Sequence, residues 1–188
     1  MKKYVFILMI WVPFLHYAQN RIKYPNVIKA GILTEKNAGL YLEYYKDFRS
    51  FDIGAGFYYI KHEAEYAPMR KNLFSSGYSY PVNKLQNFSI LLGKRFFLVD
   101  NTNLHFQLGG TYNNYHEVSS WEKKDWLFSS YYNYNYRDVS YFGIASRLSL
   151  EIAFSKNIGI SLGGYYDYNY HKQHYGLILN FIFGNLHL

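Results

Sequence analysis

The sequence predicts an all-β fold, an eight-stranded antiparallel up-and-down transmembrane β-barrel, on three observations. Apolar and polar residues alternate along most of the chain after residue 20, which is the period of a half-buried strand. Bulky apolar residues occupy one face of these strands, and glycine, serine and charged residues occupy the other. Short and long connections alternate, as expected when the long loops of a meander share one end.

Composition fixes the broad class of the protein. The chain has 188 residues, of which 49% are hydrophobic and 22% aromatic, so it is long and apolar enough for one domain with a real core. A disordered chain would contain far fewer apolar residues. Cysteine is absent, which excludes disulfides, Cys-ligated zinc and a thiol nucleophile.

The first nineteen residues predict a secretory signal peptide, 1–19, ahead of a barrel domain, 20–188. Lys2 and Lys3 precede an apolar run at 4–15, and the predicted cleavage lies near Ala18 or Gln19. The run is shorter than the roughly 20 residues of a membrane-spanning helix, although an uncleaved anchor is the alternative. Loss of the two lysines lowers the formal charge from +7 to +5, and no Lys/Arg cluster is dense enough to indicate nucleic acid.

Alternation in the remaining chain places the strands. The segment 142–154 shows it clearly, with Phe142, Ile144, Leu148 and Leu150 on one face. The last strand is apolar on both faces, which leaves its register open. The eight strands are predicted at 26–34, 39–47, 50–62, 85–98, 103–116, 138–154, 157–170 and 174–184.

The connections give a second signal. Short turns are predicted at 47–49, 100–102 and 155–157, and long connections at 62–84 and 117–137. Short connections also precede the second and eighth strands, a mild departure from strict alternation of lengths.

Charged residues on the small-residue faces favour a membrane barrel over a soluble one. Eight strands leave an interior just wide enough for side chains, and buried charges must pair. Three positive and three negative residues can do so, and we interpret them as a network that fills the lumen rather than as a solute path. The predicted lumenal residues are Lys29, Glu43, Asp52, Arg95, Arg147 and Glu151.

Aromatic residues gather at the strand ends, as in the girdles at the two membrane boundaries of such barrels. Phenylalanine marks one end, at Phe48, Phe51, Phe96, Phe97 and Phe154. Tyrosine marks the other end, at Tyr58, Tyr59, Tyr112, Tyr115, Tyr131, Tyr132, Tyr134, Tyr136, Tyr141, Tyr165, Tyr166, Tyr168, Tyr170 and Tyr175.

These features together resemble the small eight-stranded outer-membrane β-barrel proteins, over residues 20–188. The resemblance implies a place in the cell outer membrane, with outer-membrane lipid, lipopolysaccharide and other envelope proteins as partners. Such barrels often end in an aromatic residue, whereas here Phe183 is followed by a short tail.

No catalytic, metal or cofactor site is predicted. His171 and His174, with Asp167 nearby, are spaced so that a regular strand would put the two imidazoles on opposite faces, and we interpret them as solvent-facing turn residues. One lipid A deacylase family of similar size uses a His and a Ser two residues apart. No histidine here has a serine at that spacing.

The connection 117–137 carries the candidate recognition residues. Exposed Tyr and Trp beside Asn and Ser offer rigid contacts with hydrogen-bonding tips, and the alternative is a plain extension of the fifth and sixth strands. We therefore expect a non-enzymatic barrel that docks through its loops, with a lipid A-modifying hydrolase or a soluble periplasmic ligand carrier as alternatives. The candidates are Trp121, Trp126, Tyr132, Tyr134 and Tyr136.

Overall fold

The computed structural model describes residues 26–48, 51–71, 78–99, 101–126, 129–184 and 186. The predicted signal peptide lies outside these residues. In this part of the chain, no helix is long and apolar enough to cross a membrane. The strands are β1 (Asn26–Thr34), β2 (Ala38–Asp47), β3 (Asp52–Glu63), β4 (Arg70–Lys71), β5 (Tyr78–Ser79), β6 (Val82–Val99), β7 (Thr102–Trp126), β8 (Ser129–Ala153), β9 (Ile158–Asn169) and β10 (Gln173–Gly184).

Eight of these strands close into one barrel, so the predicted fold class is confirmed. Their order is β1-β10-β9-β8-β7-β6-β3-β2, and every neighbouring pair is antiparallel. The first and last strands close the barrel from Val27↔Gly184 to Thr34↔Leu177, which fixes the register that the sequence left open for β10. The short strands β4 and β5 pair with each other inside the β3–β6 connection.

The apolar face of the barrel points outward. Phe106, Leu150 and Leu162 are 44%, 37% and 55% exposed, whereas their chain neighbours His105 and Glu151 are 0% and 1% exposed. A soluble carrier barrel would show the opposite arrangement, because its apolar side chains would line the cavity. The predicted inversion of faces is therefore confirmed, and the alternative of a soluble ligand carrier is wrong.

At one end of the barrel, β2 is followed closely by β3, β6 by β7 and β8 by β9, and we call it the turn end. The opposite end is the loop end. Phe48 N–H donates to Phe51 O at 2.8 Å in the first turn. Asn101 has a φ of 66°, a left-handed conformation that asparagine tolerates better than most residues. The predicted turns at this end agree with the structure within a few residues.

The connection predicted at 117–137 is not a loop. Strands β7 and β8 stay paired from Thr102↔Ile152 to Trp126↔Ser129, so their hairpin extends well beyond the other strands. Alternation failed to predict this extension because both of its faces carry polar and aromatic residues, as expected where neither face is covered. The segment is thus an extension of the fifth and sixth strands, and the candidate recognition residues belong to a paired hairpin.

Apolar layers close the lumen above and below its charged part. At the turn end the layer contains Val27, Tyr45, Ala153, Ile182 and Leu186. Towards the loop end the second layer contains Leu33, Tyr41, Tyr58, Ile60, Leu85, Tyr115, Tyr165 and Ile178.

Three tyrosines in that second layer correct the girdle prediction. Tyr58, Tyr115 and Tyr165 are at most 6% exposed and face the lumen. Each stands an odd number of positions from an outward residue of its strand, so the strand period directs it inward. Tyr112 and Tyr166, by contrast, are exposed on the outer face.

Candidate functional site: the filled lumen and the aromatic hairpin

All six charged residues predicted for the lumen have side chains that are almost fully buried. Lys29 and Glu43 face each other across β1 and β2, and their side-chain nitrogen and oxygen are 3.7 Å apart. The remaining four come from β3, β6 and β8, so the interior draws charges from five strands. The arrangement follows from strand parity, because alternate residues of each strand point inward.

Glu151 is the centre of the ion pairs. Its Oε1 lies 2.7 Å from Lys29 Nζ, and its Oε2 accepts a hydrogen bond from Arg95 Nε at 3.0 Å. Arg95 also reaches Asp47 Oδ2 at 3.2 Å and Asp52 Oδ2 at 3.6 Å. One carboxylate on β8 therefore holds cations from β1 and β6, which lie on different sides of the lumen.

His105 joins this network, although it was not predicted as a lumenal residue. Its Nδ1 is 2.8 Å from Glu151 Oε1 and 3.0 Å from Lys29 Nζ, and its Nε2 is 3.0 Å from Asp52 Oδ2. The signal was present in the sequence, since His105 and Gln107 form the polar face opposite Phe106.

Arg147 occupies the middle of the lumen above the Glu151 cluster. Its guanidinium donates to Ser89 Oγ at 2.8 Å and to the Tyr41 hydroxyl. Tyr41 in turn donates to Glu43 Oε2 at 2.6 Å, and Gln107 donates to the other oxygen of that carboxylate. Arg147 and Glu43 are thus linked through Tyr41.

Two inward glycines give the network its space. A Cβ atom at Gly56 would lie 2.8 Å from Arg147 Nη1, and one at Gly93 would lie 2.6 Å from His105 Nε2 and against the Asp52 carboxylate. Any side chain at these two positions would displace the charged groups. The small residues on the inner face therefore have a packing role in addition to fitting a narrow interior.

A small void lies among the lumenal charges. A cavity of about 10 Å³ adjoins Lys29, Glu43, Gln107 and Arg147, which is room for about one water molecule. Paired charges, two apolar layers and this small void describe an interior filled by side chains. Its chemical capacity is to hold the strands together.

The hairpin beyond the barrel gathers four of the five candidate recognition residues on one face. Cross-strand partners share a face, and the register pairs Trp121 with Tyr134, Lys123 with Tyr132 and Val118 with Tyr136. A bulge between Val118 and Ser120 makes this possible, because residues 118 and 121 would face opposite sides of a regular strand. The fifth candidate, Trp126, pairs with Ser129 through its backbone, and its side chain lies outside the described structure.

The base of the hairpin is held by the β3–β6 connection. Tyr134 donates to the carbonyl oxygen of Pro68 at 2.7 Å, and Tyr66 donates to that of Val118 at 3.0 Å. Val118 also packs against Ala64 and Ala67. These contacts fix the angle of the hairpin, and they give Tyr134 an anchoring role besides its place on the aromatic face.

A groove of about 370 Å³ opens beside this anchor. Its wall includes Lys84, His116 and Tyr136, and the His116 and Tyr136 rings are stacked with centroids 4.6 Å apart. The volume falls in the range of small-ligand sites. The full lining is Ser79, Tyr80, Pro81, Val82, Lys84, His116, Tyr134 and Tyr136.

The opposite face of the hairpin base carries an ion pair. Arg137 donates to Glu117 Oε1 through Nη2 at 2.7 Å, and His171 lies 3.3 Å from Glu117 Oε2. Burial raises the pKa of the Glu117 carboxyl, but the hydrogen bonds from Arg137 and His171 outweigh it, so that the pKa is lowered. These residues lie beyond Tyr112, which packs on Phe142 at the aromatic rim of the outer face.

The loop end of the lumen holds a second histidine group. Glu35 Oε2 is 3.1 Å from His174 Nδ1 and 3.3 Å from His62 Nε2. The prediction of a solvent-facing His174 is wrong, because His174 is the second residue of β10 and its side chain points inward and is 0% exposed. Glu35 and His62 were not singled out in the sequence, since they are 27 positions apart and their approach depends on how β1, β2 and β3 pair.

Solved structures with the same architecture set this geometry in context. The N-terminal β-barrel domain of Pseudomonas aeruginosa OprF matches with a TM-score of 0.58 and 11% identity, over 87% of this chain and 98% of that one. Ail, the attachment invasion locus protein of Yersinia pestis, gives 0.51 and 13%, over 86% and 98%. The chain has the fold of the small eight-stranded outer-membrane β-barrels.

A third barrel of this kind, Neisserial surface protein A, matches with a TM-score of 0.51 and 9% identity over 85% of this chain and 94% of that one. No protein-family model and no curated protein matches the chain. At these identities the likeness concerns the barrel fold alone.

The outer surface agrees with this fold. Phe48 and Phe51 stack at the turn end with centroids 5.5 Å apart, and Tyr112 packs on Phe142 towards the loop end at 5.3 Å. Between these aromatic pairs the outward residues of the barrel strands are mostly Leu, Ile and Phe. An apolar band between aromatic rims is the surface that an outer-membrane β-barrel presents to lipid.

Proposed function

We propose that this chain is a non-enzymatic barrel of the cell outer membrane, exported by a cleaved signal peptide at 1–19, that recognises the sugars of lipopolysaccharide. The aromatic face of the β7–β8 hairpin and the groove at its base form the recognition surface. The observation that carries the proposal is the continuous pairing of the hairpin as far as Trp126↔Ser129. A paired ribbon presents its side chains in fixed positions, which lowers the entropy cost of binding.

The position of the hairpin supports a surface role. Outer-membrane barrels keep short turns in the periplasm and longer loops outside the cell. By that rule the turn end is periplasmic and the hairpin is extracellular. Beyond Tyr112 it continues for about 45 Å along the strand at roughly 3.3 Å per residue. A reach of this size takes its tip well clear of the lipid boundary.

The groove sits where the head groups of the surrounding lipid would lie. His116, Val118 and Tyr136 continue the outward face of β7 and β8, immediately above the Tyr112–Phe142 pair. Flat aromatic rings suit the faces of sugars, and Lys84 suits the phosphates attached to them. Lipopolysaccharide offers both groups at this height, which is why it is chosen over a soluble ligand.

The filled lumen supports a structural rather than a transport role. The paired charges around Glu151 and Arg147 leave about one water's volume beside them. An eight-stranded barrel has no room for a channel unless such residues move aside.

The experiment that tests the proposal is capture of the purified, detergent-solubilised chain on immobilised lipopolysaccharide. Tyr136→Ala and Trp121→Ala remove rings from the recognition face and should weaken capture at least tenfold. Tyr131→Ala is the matched control, because Tyr131 is also exposed but pairs with Lys124 on the other face. Equal loss in all three variants, or no capture of the unmodified chain, would contradict the proposal.

Two further measurements test the other parts. Incubation with radiolabelled lipid A separates recognition from catalysis, since release of fatty acid would favour the hydrolase alternative. Amino-terminal sequencing of the chain from isolated outer membranes tests export, because a cleaved product begins near residue 19 or 20. An intact Met1 would support an uncleaved anchor instead.

A further inference from the structure

The group formed by Glu35, His62 and His174 has the composition of a metal site. Its three candidate ligand atoms all lie within 4.8 Å of one another. Two imidazoles and one carboxylate are the protein ligands of many zinc sites that keep a fourth position open. We infer that these three side chains bind a divalent transition-metal ion of the zinc class at the loop end of the barrel, independently of the recognition surface on the hairpin.

The distances suit such an ion. Ligand bonds of about 2.1 Å at tetrahedral angles place neighbouring ligand atoms about 3.4 Å apart. The distances from Glu35 Oε2 are close to this value, at 3.1 Å to His174 Nδ1 and 3.3 Å to His62 Nε2. The two imidazole nitrogens lie within 4.8 Å of each other, and a small rotation of the His62 ring would shorten this distance.

His174 is already oriented as a ligand. Its Nε2 lies 2.8 Å from the hydroxyl oxygen of Tyr115, which also accepts a hydrogen bond from Asn169 Nδ2 at 2.8 Å. The second nitrogen of a metal-binding histidine is commonly held in this way, which fixes the ring and directs the other nitrogen to the ion. Only Nδ1 is then left for the metal, and Nδ1 is the atom beside Glu35.

His62 provides a nitrogen without a competing hydrogen bond. Its Nε2 is buried and makes no hydrogen bond among the described residues, although it lies 3.3 Å from the Glu35 carboxylate. The nitrogen therefore approaches Glu35 without the alignment of a hydrogen bond. A metal ion between the two atoms would satisfy both.

The surroundings allow entry and protect the ion from below. The side chains of Glu35 and His62 keep 14% and 13% of their surface exposed, so an ion can arrive from outside. Leu33, Ile60 and Ile178 lie in the apolar layer beneath, between this group and the ion pairs around Glu151. An apolar layer of this kind keeps water away from the ion and so favours its retention.

A bound ion would tie together three parts of the chain. Glu35 follows β1, His62 closes β3 and His174 opens β10, so the ion would bridge both sides of the β1–β10 seam. Binding only to the folded chain raises its stability according to mass action. The site is thus expected to strengthen the extracellular mouth of the barrel.

The test uses the full mature chain in detergent and Zn²⁺ as the probe. Competition against a chromophoric chelator should show one ion per chain, and Glu35→Gln and His62→Gln should each weaken binding at least tenfold. His171→Gln is the matched control, because His171 lies close by but contacts Glu117 instead. Substitution by Co²⁺ should give the intense visible absorption of a tetrahedral site with nitrogen and oxygen ligands.

Several results would overturn the inference. These are unchanged affinity in Glu35→Gln and His62→Gln, an equal loss in His171→Gln, the weak absorption of six-coordinate Co²⁺, or the absence of one-to-one binding in the unmodified chain. A second readout covers a variant that folds poorly: saturating Zn²⁺ should raise the thermal unfolding midpoint of the unmodified chain. An unmoved midpoint in the unmodified chain also counts against the site.

Discussion

Lys29 and Glu151 are paired through the lumen, with Nζ and Oε1 2.7 Å apart. Their strands, β1 and β8, are separated by β9 and β10 in the barrel order, so the contact crosses the interior. Glu151 also binds Arg95 and His105. Loss of this one carboxylate would remove the partner that Lys29, Arg95 and His105 share.

Glu151→Gln tests this role. The isosteric amide keeps the volume but removes the charge, and breaking a buried pair costs roughly 3–5 kcal/mol because the partner is stranded. Urea unfolding of the barrel in lipid vesicles, followed by tryptophan fluorescence, measures the change. Glu122→Gln on the exposed hairpin is the control and should stay within about 0.5 kcal/mol. Equal midpoints for the two variants would show that the network contributes nothing.

Gly93→Ala tests the space left by inward glycines. The new methyl group would fall against Asp52 and His105, so we expect a loss of about 1–3 kcal/mol, as for other overpacked sites. Gly110→Ala is the matched control, because a Cβ there meets no atom within 4 Å. The same unfolding assay compares them, and a Gly93→Ala variant as stable as Gly110→Ala would argue against a tight lumen.

Leu148→Arg tests the outward apolar band. Leu148 stands midway between Phe142 and Phe154 on the outer face of β8, and arginine at the midplane of the bilayer costs about 2–4 kcal/mol. At the rim the cost falls to about 0–1 kcal/mol, which makes Phe154→Arg the control. Unfolding from vesicles should therefore show a strong dependence on depth. Equal effects at the two positions would mean that lipid does not surround this face.

Acid should loosen the base of the hairpin. The pKa of Glu117 is lowered in the fold: burial raises it, but the hydrogen bonds from Arg137 and His171 prevail. Its contribution is therefore complete above the unfolded pKa of about 4.3 and is lost as the pH falls through the lower folded value. The protection factors of the backbone amides of residues 115–120 against hydrogen exchange should fall over that range. The variant Glu117→Gln should exchange quickly throughout, and a pH effect that survives it must come from another group.

The faces of the barrel could be read from the sequence, because they depend on local geometry alone. In residues 104–108, alternate side chains point to opposite sides, so His105 and Phe106 had to be separated by the sheet itself. The inward charges include three positive and three negative residues, so the sequence also showed that they could form ion pairs. The sequence further located the tight turns, where residues such as Asn101 permit the reversal.

The partners across the lumen and the shape of the hairpin were decided by the tertiary structure. Glu35 follows β1, whereas His62 and His174 belong to β3 and β10, and His174 reaches the other two only because β1 closes on β10. The bulge after Val118 places Trp121 on the same face as Tyr134. The two-residue period of a regular strand does not predict this change of face.

The physical reason is the range of the interactions. Alternation is set within one strand, and the sequence by itself therefore determined which side chains face lipid and which face the lumen. Register, closure and bulges depend on the fit between distant strands. Only the closed barrel could decide which of the inward side chains touch one another.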